Sequence, residues 1–240
     1  MPGSPDAHAT NDHPRPRDTS EDDAGGFLKT GEWPVVADAD SFADATGASS
    51  DQLADLERFR SLLGDWNEKM NLVGPSAMAS FWSRHAFDSA QLLALAPEAL
   101  TWADLGAGAG FPGVVLGILL KGRAGARVDL VESMAKRCRF LQAVTDDLDL
   151  PVQVHNARAE SLSLKVDIVT ARACAPLARL LEFARPYLRK GATGLFLKGQ
   201  DVEAELAEAT ISWDLTAELL PSLSDPSGRI VRVKRLRRAS

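Results

Sequence analysis

From Ser50 onward the chain takes on a helical rhythm, with Leu53, Leu56, Phe59, Leu62, Leu63 and Trp66 recurring at steps of three and four residues. One apolar face at that period predicts an amphipathic helix, and Ser49, Ser50 and Asp51 are available to cap its first turn. Gly74-Pro75 interrupts the chain. A second pattern through Phe81, Trp82, His85, Phe87, Leu92, Leu93 and Leu95 then predicts another helix, stopping near Pro97. Beyond it, short apolar runs alternate with helical periods. Strands are expected over Leu100–Leu105, Val128–Val131, Val152–His155, Val166–Thr170 and Thr193–Leu197, and helices over Gly113–Leu120, Ser133–Leu148 and Leu177–Leu188. A helix from about Asp201 to Ala209 and late strands over Leu215–Leu219 and Arg229–Val233 bring the expected strands to seven. Alternating strands and helices imply right-handed crossovers, hence an α/β fold with a mostly parallel sheet covered on both faces and a helical cap in front.

Residues 1–45 have no such rhythm: they are rich in Pro, Asp, Ser and Gly, and burial there could not offset the entropy of ordering. The sequence thus divides into a disordered leader (1–45), a helical cap (46–97) and an α/β core (98–240). The net charge of -6 hides an uneven distribution. Residues 1–50 hold ten acids and three bases, whereas the last twelve carry Arg229, Arg232, Lys234, Arg235, Arg237 and Arg238 with no acid. A basic end is compatible with a polyanionic partner and equally with a solvated terminus. No apolar run reaches membrane-spanning length, and the first residues lack the apolar core of a signal peptide, so a cytoplasmic monomer is expected. Cys138 and Cys174 lack metal-ligand spacing and His partners, and neither a disulfide nor a metal site is expected.

The densest chemistry lies in Trp102-Ala103-Asp104-Leu105-Gly106-Ala107-Gly108-Ala109-Gly110-Phe111-Pro112-Gly113, a buried strand running into a glycine loop. Gly106, Gly108 and Gly110 are spaced Gly-x-Gly-x-Gly, whereas the dinucleotide fingerprint is Gly-x-Gly-x-x-Gly; the difference favours S-adenosyl-L-methionine over NAD. Glu132 ends the second strand, where a carboxylate would accept hydrogen bonds from both hydroxyls of a ribose. That acid also suits NAD, or a plain helix cap before Ser133. An amino-acid clamp is expected near Asp104 and Gly106. Across the sheet, Arg172 and Lys198 fall near the ends of the fourth and fifth strands, as candidates to hold cofactor, RNA phosphate or a guanine oxygen. Lys136, Arg137 and Arg139 open one helix, and Arg185, Arg189 and Lys190 close another. His85 and Asp88 share a helix face and read as packing residues, as does Cys174.

As a set these residues resemble the ribosomal RNA small subunit methyltransferase G family, also called glucose-inhibited division protein B. The segments that carry the resemblance are Trp66 to Leu72, Arg84 to Ser89, Asp104 to Gly113, Glu132 to Leu141, Arg158-Ala159-Glu160, Arg172-Ala173 and Leu197 to Gln200. The resemblance implies a Rossmann-like class I methyltransferase. It would move a methyl group from S-adenosyl-L-methionine to the N7 position of one guanine in 16S ribosomal RNA, free or in a small-subunit particle. It also implies that Gly106, Phe111, Ala159, Glu160 and Arg172 line the cofactor site; by their positions at strand ends and a helix start, Arg172, Lys198, Arg137 and Arg139 are the candidate RNA contacts. Guanine N7 has a lone pair and no proton, so no general base or enzyme nucleophile is expected, and catalysis is positioning, with Arg172 and Lys198 as candidates. The acidic leader lies outside the resemblance. An NAD-dependent oxidoreductase, an RNA-binding module without activity, and the same fold acting on another RNA, a small molecule or a protein remain as alternatives at this point.

Overall fold

The computed structural model describes residues 34–239. Its first elements are helices α1 (Ala39–Thr46), α2 (Ser50–Met70) and α3 (Pro75–Ala79), a π-helical turn (Phe81–Phe87) and α4 (Asp88–Ala94). α2 begins as its pattern requires: the Ser49 hydroxyl accepts from the Gln52 N–H, and the Gln52 side chain accepts from the Ser49 N–H at 2.9 Å. Two expectations change here. The leader was expected to be disordered up to residue 45, yet Asp38 and Ser41 form a capping box for α1, and Phe42 is fully buried against Trp82 at 5.4 Å. One large ring placed on a neighbour's core orders a segment that is polar in composition. The rest of the leader, residues 1–33, lies outside the described residues. The second cap helix is not continuous either: it passes through the π-helical turn, where the Arg84 carbonyl accepts from Arg172 and the His85 carbonyl from Ser89.

Seven strands form one sheet in the order β3-β2-β1-β4-β5-β7-β6. β1 (Thr101–Leu105), β2 (Arg127–Glu132), β3 (Val152–Asn156), β4 (Ile168–Arg172) and β5 (Thr193–Lys198) are parallel. β7 (Arg229–Arg238) is antiparallel to both β5 and β6 (Trp213–Pro221). Period-two alternation sends Ile168, Leu195 and Leu197 to one face and Val169, Ala171 and Phe196 to the other. The first face is covered by the cap with α5 (Gly113–Leu120) and α6 (Ala135–Asp147), the second by α7 (Leu177–Leu188) and α8 (Val202–Ser212). β6 and β7 are longer than expected because Ile230, Val231, Val233 and Leu236 stay buried between the basic residues of the chain end.

Strand order reverses between β1 and β4. Successive connections leave β1 in opposite directions there, which opens a crevice above the carboxyl ends of the two strands. A run of aromatic rings leads from the cap into it: Trp82 meets Phe81 at 5.3 Å, Phe81 meets Phe59 at 5.9 Å, and Phe59 meets Phe111 of the glycine loop at 5.3 Å. The cap therefore braces the loop from behind. No helix among the described residues is long and apolar enough to cross a membrane.

Candidate active site at the strand-order reversal

The glycine loop leaves β1 with its backbone tied to the neighbouring strand, the N–H groups of Gly106 and Ala107 both donating to the Val131 carbonyl, at 2.8 and 3.1 Å. Gly106 has φ 72°, and a Cβ there would lie 2.6 Å from the Cys174 sulfur. The left-handed backbone and the contact both exclude a side chain. Gly113, at the start of α5, is required for a different reason: a Cβ there would lie 2.1 Å from a Leu130 methyl and 2.7 Å from an Asp104 oxygen. At Gly108 the only atom near a Cβ would be the Gly106 carbonyl oxygen at 3.6 Å, so the loop's middle borders open space.

Two acids hold this loop. Glu132, the last residue of β2, is 4% exposed; its carboxylate accepts from the Gly108 N–H at 3.0 Å and the Met134 N–H at 2.7 Å, with the Arg137 guanidinium 3.7 Å away. One oxygen serves each donor, and each keeps a second lone pair for a further donor. Asp104 is fully buried, and its Oδ2 accepts from the Gly113 N–H at 2.9 Å. Its Oδ1 is buried without a partner, and burial pushes the carboxyl up to about 7 against the pull of the Gly113 N–H and Arg172. Asp104 thus supports the loop from inside.

Arg172 is the last residue of β4, not just beyond it as expected, and it faces the loop from the far side of the reversal. Its guanidinium carbon lies 5.0 Å from the Phe111 ring centre, and its Nη1 donates to the Arg84 carbonyl at 2.9 Å and lies 3.6 Å from Asp88. The Phe111 ring is 4% exposed and stacks on His85 at 4.8 Å, so most of it faces the cap. Burial, helped by Arg172 and Arg84, pushes His85 down to about 4, which leaves a neutral imidazole at pH 7 whose Nδ1 is buried without a partner. Sequence reasoning had set His85 and Asp88 aside as packing, but both lie against this site. Burial raises Asp88, while the Ser224 hydroxyl and Arg172 pull it back. The roles of Arg84 and Ser224 were not foreseen; Arg84 lies in a matched segment, whereas Ser224 sits in a loop with no distinctive pattern.

The remaining candidates are scattered. Ala159 and Glu160 form a 3-10 turn (Ala159–Ser161) after β3, with Glu160 exposed and 3.8 Å from Arg158. Arg137 is partly exposed and Arg139 exposed, both in the first turns of α6, with Arg137 beside Glu132. Lys198 requires correction as an RNA contact: its side chain is 9% exposed, and its Nζ is bound to Glu205 at 2.6 Å and the Ala175 carbonyl at 3.0 Å. Its charge is already matched inside the protein, and it braces the loop between β4 and α7. At the basic chain end three residues make surface pairs, Arg232 with Glu218, Arg235 with Asp214 and Arg238 with Glu182. The Cys174 thiol is pushed up by burial, which keeps it protonated and unsuited to attack.

Two structures of low sequence identity share this architecture. A candidate O-methyltransferase from Klebsiella pneumoniae matches with a TM-score of 0.53 at 12% identity, covering 81% of this chain and 94% of that one. Cofactor-bound Rv0187 from MTB matches with a TM-score of 0.52 at 16% identity, covering 85% and 99%. At such identities the likeness is one of fold. Sequence goes further. A ribosomal RNA small subunit methyltransferase G of Caulobacter vibrioides (strain NA1000 / CB15N) is 69% identical over 204 residues, covering 85% of this chain and 94% of its own length. The protein of that name from Methylorubrum populi is 47% identical over 186 residues, covering 76% and 88%. The GidB family model, rRNA small subunit methyltransferase G, matches residues 52–227. That span takes in the cap residues Arg84 to Asp88 as well as the parallel strands of the sheet, and the chain belongs to the rRNA small subunit methyltransferase G family.

Proposed function

We propose that this chain transfers a methyl group from S-adenosyl-L-methionine to the N7 position of a guanine in 16S ribosomal RNA. The observation that carries the reading is the pairing, across one crevice, of a loop-and-carboxylate cradle at the ends of β1 and β2 with an arginine at the end of β4. The cradle suits the cofactor. Glu132 keeps free lone pairs for a ribose diol, the loop borders open space at Gly108, and Met134, an apolar side chain 49% exposed, lies two residues from Glu132 as a surface for a base. Gly106 offers its backbone to the amino-acid end, with Asp104 supporting the loop behind it. Ala159 and Glu160, in the turn after β3, are assigned to the same cofactor site.

When bound, the cofactor supplies an electrophilic methyl group, which the N7 lone pair of guanine takes with no proton to remove. The chain's own work is then to orient and to exclude water. Arg172 holds the place where cofactor and acceptor meet, its direction fixed by Asp88 and the Arg84 carbonyl. Half-buried, protonated Cys174 and neutral His85 fit a mechanism without a nucleophile or base. Arg137 borders the cradle, and with the exposed Arg139 on the same helix it supplies phosphate contacts, which give affinity without sequence choice. Selection of one guanine then rests on folded RNA or a particle that exposes the base. The working unit in this reading is a monomer acting in the cytoplasm.

Labelled cofactor incubated with small-subunit RNA, naked and in particles, is expected to leave its label as 7-methylguanosine after nucleoside digestion. Label in any other nucleoside, or in none, overturns the assignment. Arg139→Glu is expected to weaken RNA binding several-fold and to lower the slope of log affinity against log salt by about 1, with cofactor affinity unchanged. An unaltered salt slope removes Arg139 from the RNA surface.

A further inference from the structure

The guanidinium of Arg172 is attached at the end of a strand but aimed by groups from elsewhere. Asp88 reaches it from the start of α4, just after the π-helical turn, and uses its two oxygens differently. Oδ2 lies 3.6 Å from Arg172, while Oδ1 accepts from Ser224 at 2.6 Å and from the Gln91 amide at 3.0 Å. Ser224 belongs to the loop between β6 and β7, and that loop is fastened to the cap on both sides of it. The Leu223 N–H donates to Gln91 at 2.7 Å, and Arg84 pairs with Asp225 at 2.9 Å. The side chains of Asp88 and Arg172 are only 15% and 20% exposed, so this pair is little screened by water.

We propose that Asp88 is the positioning residue for Arg172, its carboxylate fixed by Ser224 so that cap and β6–β7 loop together set the angle of the guanidinium at the crevice. The proposal rests on the role given to Arg172 above. A flexible arginine could turn away from the Phe111 ring and the Arg84 carbonyl toward solvent, and only one of its directions serves a reaction that depends on alignment. Asp88 selects that direction, and Ser224 keeps Asp88 from rotating away. A matching element on the sheet side is Ala173, which follows Arg172 with φ 48°, a left-handed backbone that turns the chain sharply after the strand.

The test uses the full chain with small-subunit RNA and measures kcat, KM for RNA and melting temperature for Asp88→Asn, Ser224→Ala, Arg172→Lys and the double variant Asp88→Asn/Arg172→Lys. Asp88→Asn is expected to lower kcat, counted per folded molecule from the melting curve, roughly tenfold or more while KM for RNA moves by less than about threefold; counting per folded molecule removes the loss that general destabilisation alone would give. Ser224→Ala, which keeps both charges and stays folded, should lower kcat about two- to threefold in the same way, and on the Arg172→Lys background Asp88→Asn should add less than about twofold. Should Asp88→Asn fail to fold, Ser224→Ala carries the same split. Arg172→Lys impaired beside a fully active Asp88→Asn overturns the positioning role alone. Full activity of Arg172→Lys overturns the role of Arg172 and this proposal with it. Independent, multiplicative losses in the double variant, or a silent Ser224→Ala, also overturn it.

Discussion

Replacing Glu132 by alanine is expected to weaken cofactor binding roughly a hundredfold and to destabilise the protein by a few kcal/mol, two effects with separate origins. The binding loss follows from removing charge-assisted hydrogen bonds to the ribose, each about 1.5–3 kcal/mol. The stability loss follows from the Gly108 and Met134 N–H groups, which now donate to the carboxylate at 3.0 and 2.7 Å and would lose their acceptor. An unsatisfied donor near the interior costs about 1–3 kcal/mol. Glu132→Gln should give an intermediate loss of both: one amide oxygen can serve one N–H, while the NH2 group faces the other donor and one ribose bond is lost. Calorimetric titration with S-adenosyl-L-methionine and urea unfolding measure the two quantities independently. Unchanged cofactor affinity in Glu132→Ala would remove the residue from the ribose role and leave it as a brace of the loop.

That double duty explains what could be seen from the sequence and what could not. The strands were legible because Thr193 to Leu197 is an almost unbroken apolar run and Val128 to Val131 is one interrupted only by Asp129, and the glycine loop because Gly106 cannot carry a side chain at φ 72°. Local signals of that kind survive without a structure. The Asp88–Arg172 contact joins residues 84 positions apart, and no local pattern encodes which carboxylate meets which arginine. Lys198 shows the same limit in reverse. Its position at a strand end was right and its use was wrong, because Glu205, on the following helix, had already taken the charge. α1 was missed since a single ring, Phe42, orders it by docking on Trp82, and one apolar residue makes no period. The π-helical turn escaped because a wider turn changes which residues face inward without changing composition.

Asp104 leads to the second large effect, a dependence of stability on pH that Asp104→Asn should abolish. Its ordinary value is 3.8 and burial raises it to about 7 in the folded chain, the Glu132 charge adding a little and the Gly113 N–H and Arg172 opposing. The folded protein therefore keeps a proton between pH 4 and 7 that the unfolded chain has already released. Unfolding releases that proton, so stability from this group is fully present below pH 3.8, falls as pH rises toward 7, and is flat above. The slope is at most about 1.4 kcal/mol per pH unit, giving a few kcal/mol across the window. Asparagine imitates the protonated acid: its oxygen can accept from the Gly113 N–H, now at 2.9 Å, and its NH2 takes the place of Oδ1, which has no partner to lose. Urea midpoints measured without cofactor at steps between pH 4 and 8 should show wild type losing stability relative to Asp104→Asn as pH climbs to 7, the two curves becoming parallel beyond. Parallel curves through the whole range would mean that Asp104 is ionised throughout, and the buried acid would then need a cation closer than Arg172 to hold its charge.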